Sequence, residues 1–323
     1  MIIIPSISVI IPSNHGFHDL LKIVDAVCGQ TIRPTEIVIV DSSDECGGCP
    51  AEVTTLCAVS GIKLCYKYSL RAFPGKARNV GLSITKAELI AFIDVQTIPR
   101  PSWLESSLGV LENENIAGIF GGTSFTAETS FERLVRDAFH GVSPRKTLPG
   151  SVFRRDVFLK AGQFVDWVRA GEDTEWMLRL ELLNIPVAYP SSALIDYIGL
   201  LGLDLKKVLK KWYRNYTASH DLPHLFPQKL FLWLVLYPLI IFIAFNWNYL
   251  IANWHMDSPL YIGHITKIVA FLPPLAYVFT RGILLPLRRG VSFSRIFPIR
   301  FIGIAFITFM ADAVKAYVFT ISK

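Results

Sequence analysis

Three apolar stretches in the last third of this chain limit its folding more than any other feature. The first, from Leu230 to about Ile251, reads LFLWLVLYPLIIFIAF followed by NWNYL and carries no charged residue. At a rise of about 1.5 Å per residue it meets the roughly 20 residues needed to cross about 30 Å of hydrocarbon. Pro238 would kink such a helix without forbidding it. The second, Leu260 to Thr280, contains His264, Lys267 and Pro273-Pro274, so it reads as a bent span or a re-entrant hairpin. The third, Phe301 to Thr320, is apolar except for Asp312 and Lys315, which share a helix face at i,i+3. Charge inside a membrane is costly, so these two are expected to pair or to snorkel.

Composition agrees once it is split along the chain. The 323 residues are 52% hydrophobic and 18% charged, against roughly 25% charged in an ordinary soluble protein, and the mean hydropathy is +0.42. Residues 1–228 have the mixed texture of a soluble α/β domain, and the apolar excess falls in 229–323. The expected organisation is an α/β domain over 1–200, an interfacial linker over 201–228 and a membrane domain over 229–323. Spans are expected at 230–251, 260–280 and 301–320.

The net charge of +6 raises nucleic acid as a partner, but the position of the cations argues against it. Lys206, Lys207, Lys210, Lys211 and Arg214 precede the first span, and Arg281, Arg288, Arg289, Arg295 and Arg300 lie between the second and third. Basic residues beside spans report orientation and attraction to anionic lipid. The link from Asn246 to Pro259 has neither Lys nor Arg. The expectation is an integral protein of the inner or plasma membrane, with its N-terminal domain cytoplasmic and its C-terminus outside.

Met1 to Pro12 is apolar but lacks a basic n-region and a small-residue cleavage site, so it reads as a buried strand. The five cysteines, Cys28, Cys46, Cys49, Cys57 and Cys65, do not suit a secreted disulfide framework. Cys46 and Cys49 form one CxxC, which Cys57 and Cys65 would extend to four thiolates. The spacing matches no strong zinc pattern, and structural cysteines are the favoured reading. His15 and His18 read as surface residues.

The N-terminal part alternates strand and helix. Strands are expected at Ile7–Ile11, Glu36–Asp41, Ile62–Tyr66 and Leu89–Asp94, and helices at Phe17–Gln30 and Gly75–Thr85. Near-continuous apolar strands suit a mostly parallel sheet covered on both faces. Ligands of such sheets sit beyond the carboxyl ends of the strands, where this chain has Pro12-Ser13-Asn14, Asp41-Ser42-Ser43-Asp44 and Asp94-Val95-Gln96. Neither a Walker lysine loop nor GxGxxG occurs. A nucleotide held by acids and a metal fits this cleft.

The segments ISVIIPSNH, GQT, PTEIVIVDSSDE, GKARNVGL and LIAFIDVQTIPRPSWLE, followed by GSVFRRDVFLKAGQFVDWVRAGEDTEWMLRL, resemble in order the motifs of glycosyltransferase family 2. These are inverting enzymes with the nucleotide-sugar-binding GT-A fold, and the likeness runs over about residues 6–190. It implies a nucleotide sugar donor. Pro12, Asn14, Asp41 and Ser43 would lie on the nucleotide, with Asp41 on its base or ribose. Gly75, Lys76, Arg78 and Asn79 would form the helix start near the donor. Asp94 matches the first acid of the family's DxD, which binds ribose or a divalent cation, Mg2+ or Mn2+. Asp173 matches the catalytic base, and Glu172 an acceptor-side contact.

The chemistry asks for the same groups: charge neutralisation on a leaving nucleoside diphosphate, and a base on the opposite face to take the proton of an attacking hydroxyl. A helix N-cap is the rival reading of Asp173. One departure stands out. Gln96 occupies the third DxD position, and an amide is a weaker ligand for a hard cation than a carboxylate. Some polysaccharide-assembly members, similar to the succinoglycan chain-starting type, also lack that acid.

Between the two parts, Leu205, Val208, Leu209, Trp212 and Tyr216 interleave with cations as an interfacial amphipathic helix would. Trp212 and Arg214 loosely match the acceptor side of the family's cleft. The resulting expectation is a transferase acting on a lipid-linked or saccharide acceptor, with membrane lipid as partner. A polyprenyl-phosphate glycosyltransferase and a catalytically silent scaffold are the alternatives.

Overall fold

A computed structural model describes residues 5–14, 17–219, 222, 229–250 and 252–321, without the side chains of 17, 18, 219, 229–235 and 319–321. Met1 to Ile4, His15 and the side chain of His18 therefore lie outside the described residues. The chain divides into two compact units. The first comprises residues 1–128, 143–202 and 221–225, and the second 129–142, 203–220 and 226–323.

The elements of the first unit begin with β1 (Ile7–Ser13), α1 (Phe17–Cys28), β2 (Glu36–Asp41), α2 (Ala51–Val59), β3 (Lys63–Tyr68), α3 (Pro74–Ile84), β4 (Leu89–Phe92), β5 (Thr97–Pro99), α4 (Trp103–Leu111) and β6 (Gly118–Phe125). After α5 (Ser130–Phe139), which belongs to the second unit, follow β7 (Arg145–Arg154), α6 (Val157–Ala161), α7 (Glu172–Leu182), β8 (Val187–Ala188) and β9 (Ile195–Tyr197). The sheet order is β3-β2-β1-β4-β7-β6-β9-β5, with β8 beside β6. β1 to β4 are parallel, whereas β7 runs antiparallel to both β4 and β6.

Strand alternation explains why β1, β2 and β4 are apolar throughout. Ile7, Val9, Ile11, Ile37, Ile39, Leu89 and Ala91 face a core with Leu20, Ile23, Val24 and Val27 of α1 and Trp103 and Leu104 of α4. Ile10, Val38, Val40, Ile90 and Phe92 face the other way, onto Ala77 and Leu82 of α3 and Trp176 and Leu180 of α7. Successive side chains point to opposite faces, so a sheet covered on both sides needs every position apolar. Because β2 and β3 follow on one side of β1 and β4 returns on the other, the strand order reverses at β1. That is where open α/β sheets bind ligands.

The cysteines do not gather in the combination that the CxxC suggests. Cys46 is exposed, while Cys28 and Cys57 are both buried in the core that contains α1 and α2, and no three of these side chains could hold a metal ion.

The second unit contains α5 together with α8 (Leu205–Ser219), α9 (Lys229–Leu250), α10 (Ile265–Val278), a π-helical stretch (Phe279–Leu284), α11 (Leu285–Arg288), α12 (Phe293–Ile296) and α13 (Arg300–Ile321). Two helices are long and apolar enough to cross a membrane, Ile265–Arg288 and Arg300–Val318. Only 6% of the most apolar window of the first is buried within this chain. α9 is a helix of 22 residues with Pro238 inside it, and its described apolar part is Leu236–Leu250.

Two expectations about this unit change. The second apolar helix starts at Ile265 and runs on through the π-helical stretch to Arg288, so Arg281 and Arg288 stand within a helix and not in a link. Asp312 has partners beyond its own helix. Its Oδ2 accepts from Arg281 at 2.8 Å and from the Tyr277 hydroxyl at 2.9 Å. A guanidinium from a neighbouring helix reaches the carboxylate, while the Lys315 ammonium lies over the Tyr216 ring. On α8, Val208 is buried and Trp212 meets Phe139 edge-on at 4.0 Å. Part of its apolar face is thus covered by α5.

Candidate active site

β2 ends on Asp41, a carboxylate with no exposure held from three directions. Oδ1 accepts from the Ser43 backbone at 3.0 Å and from its hydroxyl at 2.6 Å, and Oδ2 accepts from the Tyr66 hydroxyl at 2.6 Å. Burial and the Asp41 carboxylate raise the Tyr66 pKa well above its ordinary value, so the phenol stays a donor. The neighbouring strand end is tied in: the Ser42 hydroxyl donates to the Ser13 carbonyl at 2.8 Å, and Asn14, exposed, reaches the Ser42 carbonyl at 3.5 Å. Pro12 precedes them in β1.

Asp94 stands two residues beyond the end of β4, in a turn closed by Thr97. Its backbone N–H donates to Thr97 Oγ1 at 3.0 Å, and its carbonyl accepts from the same hydroxyl at 2.7 Å. Its carboxylate meets Arg78 of α3. The Arg78 side chain is 3% exposed and forks, giving one nitrogen to Asp94 Oδ1 at 2.9 Å and another to Glu172 Oε1 at 2.7 Å. Its guanidinium also lies 5.7 Å from the Phe164 ring centre. Burial alone would disfavour its charge, but Asp94, Glu172 and Asp173 outweigh that and raise its pKa. Arg suits this task because its planar fork serves two carboxylates at once.

Glu172 and Asp173 open α7. Burial pushes the Glu172 carboxyl up to about 7, with Asp173 adding to the rise and Arg78 opposing it. Glu172 Oε2 is buried without a hydrogen-bond partner. The N-cap of α7 is Gly171 at φ 96°, with no side-chain cap, which corrects the capping reading of Asp173. Asp173 is instead the second helical residue. It is half-buried, and its Oδ1 accepts from the Thr174 N–H at 2.7 Å.

The loop before α7 is held against the start of α3, and this explains two of the motif residues. Asn79 closes both of its amide groups on the Phe164 backbone, donating at 2.8 Å and accepting at 3.0 Å. Its side chain therefore positions the loop. At Gly75, a Cβ would come within 2.0 Å of the Val165 carbonyl oxygen and 3.2 Å of Glu172, so only glycine permits this approach. Phe164 is fixed from the other side by Trp176 at 4.8 Å and Phe92 at 5.5 Å between ring centres. Lys76, on the same first turn, is exposed.

Gln96 turns its amide oxygen toward the Tyr197 hydroxyl at 3.1 Å. Asp94 then presents one carboxylate, 35% exposed, and among the described residues no group of three His, Cys, Asp or Glu side chains could hold a metal ion. This donor set fits a divalent cation whose remaining oxygens come from a bound diphosphate, the usual arrangement for Mg2+. Trp212 and Arg214 stand on α8 in the second unit, where Arg214 is exposed.

The structure brings Asp41 together with Ser43, and Asp94 together with Arg78 and Glu172. Tyr66, Phe164, Thr97 and Tyr197 were not foreseen. A signal existed for Tyr66. In the parallel register Asp41 lies opposite Tyr68, and a residue two positions away shares its face, within reach of a long side chain.

The family model described as "Glycosyl transferase family 2" matches residues 8–165. Glycosyltransferase AglE of Haloferax volcanii is 23% identical over 189 residues, covering 54% of this chain and 61% of that protein. Pre-mycofactocin glycosyltransferase of Mycobacterium tuberculosis is 25% identical over 224 residues, covering 64% of this chain and 44% of that protein. The chain thus spans about half the length of these relatives. Mannosyltransferase PcManGT from Pyrobaculum calidifontis, solved with GDP-Man and Mn2+, superposes with a TM-score of 0.55 at 14% identity, over 96% of this chain and 87% of that one. That likeness shows the fold, a GT-A type mixed sheet with flanking helices. The strand-end acids and the α3 motif lie inside the matched region, so over residues 8–165 the chain is similar to glycosyl transferase family 2.

Proposed function

We propose that this protein is an inverting glycosyltransferase, moving a sugar from a nucleoside-diphosphate donor to a hydroxyl of a lipid-linked acceptor at the cytoplasmic face of a membrane, in the assembly of cell-surface polysaccharide or glycoconjugate. The observation that carries the reading is the Arg78 fork, which joins Asp94, the donor-side acid, to Glu172 at the start of α7. A donor-binding acid and a candidate base on the next residue therefore belong to one cluster. Two helices long and apolar enough to cross a bilayer support the membrane location.

In this reading Asp41, Ser43 and the Tyr66 that orients Asp41 bind the nucleoside, with Pro12 and Asn14 on the neighbouring strand end and Gln96 beyond Asp94. Asp94 holds Mg2+ or Mn2+, which would neutralise charge on the diphosphate. Arg78, fixed by Glu172 and Phe164, orients Asp94. Asp173 accepts the proton of the attacking hydroxyl, and a single displacement from the face opposite the leaving group inverts the anomeric carbon. Trp212 and Arg214 are proposed for the acceptor side.

The test uses the full chain purified in detergent, labelled nucleotide sugars and a lipid extract of the native membrane. Transfer to an extractable lipid by wild type, abolished in Asp173→Asn with donor binding retained, is the expected result. Near wild-type turnover by Asp173→Asn would refute the base assignment. No turnover with any donor by folded protein would overturn the enzyme reading.

A further inference from the structure

We propose that Gln96 binds the diphosphate of the sugar donor through its amide N–H groups, and that Tyr197 is the positioning residue that aims it. It rests on the glycosyltransferase reading and adds to it how the diphosphate is held. Both residues lie in the first unit. Asp94 and Gln96 share a β-turn, closed by the Thr97 N–H donating to the Asp94 carbonyl at 2.9 Å. The ends of such a turn are within about 7 Å of each other, so Gln96 stands beside the donor-side acid. The turn is fastened to β9. Thr97 lies opposite Tyr197 in the antiparallel β5–β9 pair, and the Ile198 N–H donates to the Gln96 carbonyl at 2.9 Å.

The side chains repeat that connection, the Tyr197 hydroxyl donating to Gln96 Oε1 at 3.1 Å. Tyr197 is itself held. Its ring packs against Phe125 of β6 at 5.2 Å between centres, and the preceding Asp196 accepts twice from Arg100, at 3.1 and 2.9 Å. At Gly199 a Cβ would collide with both the Tyr197 hydroxyl and Gln96 Oε1, so the pair lies directly on that backbone. This seat decides which half of the amide is offered to a ligand. The oxygen, the atom that a hard cation would take, is turned to Tyr197. The nitrogen carries two N–H groups without a hydrogen-bond partner among the described residues, on an exposed side chain. N–H groups complement phosphate oxygens, and hydrogen bonds to a charged acceptor are the stronger kind. Asp94 then serves the cation, and Gln96 serves a diphosphate oxygen directly.

The experiment titrates the detergent-solubilised full chain with UDP, GDP, ADP and dTDP by calorimetry in saturating Mg2+, then varies Mg2+ at a saturating level of the tightest nucleotide. Gln96→Ala should weaken nucleotide binding about tenfold and leave the Mg2+ midpoint where it is in wild type. Tyr197→Phe should weaken binding about threefold, and should add nothing in the Gln96→Ala background, because it acts through the amide. Gly199→Ala alters neither group and should reproduce Tyr197→Phe by displacing the pair. A Mg2+ midpoint that rises in Gln96→Ala makes Gln96 a cation ligand and overturns the assignment. A Tyr197→Phe loss that persists without Gln96 makes Tyr197 a structural residue and overturns its positioning role. Folded wild-type protein that binds none of the four nucleotides refutes the glycosyltransferase reading itself, and with it this one. Wild-type binding that Gln96→Ala leaves unchanged refutes the role of Gln96 alone.

Discussion

Arg78 and Glu172 meet at 2.7 Å as an ion pair whose side chains are 3% and 5% exposed, and they are 94 residues apart in the chain. At pH 8, above the Glu172 pKa of about 7, removing one partner strands the other charge. Arg78→Met should destabilise the protein by about 3–5 kcal/mol, the usual result of breaking a buried pair. Adding Glu172→Gln should recover about 1–3 kcal/mol of that loss, the range for groups in contact. Denaturant unfolding of the detergent-solubilised single and double variants measures both. Strict additivity of the two changes would show that the contact carries no energy.

Glu172 also sets a pH dependence. Its folded pKa of about 7 lies above its ordinary value of 4.5, so the folded chain keeps a proton that the unfolded chain releases between these values. The stability from this group is present below about pH 4.5, is lost as pH rises through about 7, and then stays level. The loss should amount to roughly 3 kcal/mol at most. Glu172→Gln should flatten this slope in unfolding curves taken between pH 5 and 8. An unchanged slope would place the titration elsewhere.

The sheet was legible because burial on both faces leaves an unmistakable pattern: EIVIVD is strand β2 over its whole length, ending on Asp41, whereas β4 closes at Phe92 and leaves Asp94 in the turn that follows. Partnerships were less legible. Periodicity describes one element at a time, so nothing marked Asn79 as a clamp on Phe164 or Tyr66 as the donor to Asp41. Charge misled in the second unit, where Arg281 reads as loop but lies in the helix that supplies the partner of Asp312. A charge inside an apolar helix is legible only with its partner in view.

The Tyr66 hydroxyl holds the Asp41 oxygen that Ser43 leaves free. Tyr66→Phe removes that donor and leaves a buried carboxylate oxygen unpartnered, at a cost of about 1.5–3 kcal/mol. If Asp41 faces the nucleoside, the same variant should weaken nucleoside-diphosphate binding about tenfold, or about 1.4 kcal/mol. Titration calorimetry checks the affinity. Lost stability with unchanged affinity would make Asp41 a structural acid.

Two glycines provide a matched pair for the loop clamp. At Gly75 an added Cβ would sit 2.0 Å from the Val165 carbonyl oxygen, whereas at Gly109, inside α4, it would meet nothing within 4 Å. Backbone carbonyls cannot step aside as a side chain can, so Gly75→Ala must push α3 from the loop that leads to Glu172 and Asp173. The expected cost is about 1–3 kcal/mol, as for other overpacked sites. Gly109→Ala should stabilise by about 0.5–1 kcal/mol through helix propensity alone. Because the displaced loop precedes α7, Gly75→Ala should also lower transfer activity under conditions where the protein remains folded, with Gly109→Ala indistinguishable from wild type. Equal stability of the two variants would mean that the contact between α3 and the Val165 loop is looser than these distances require.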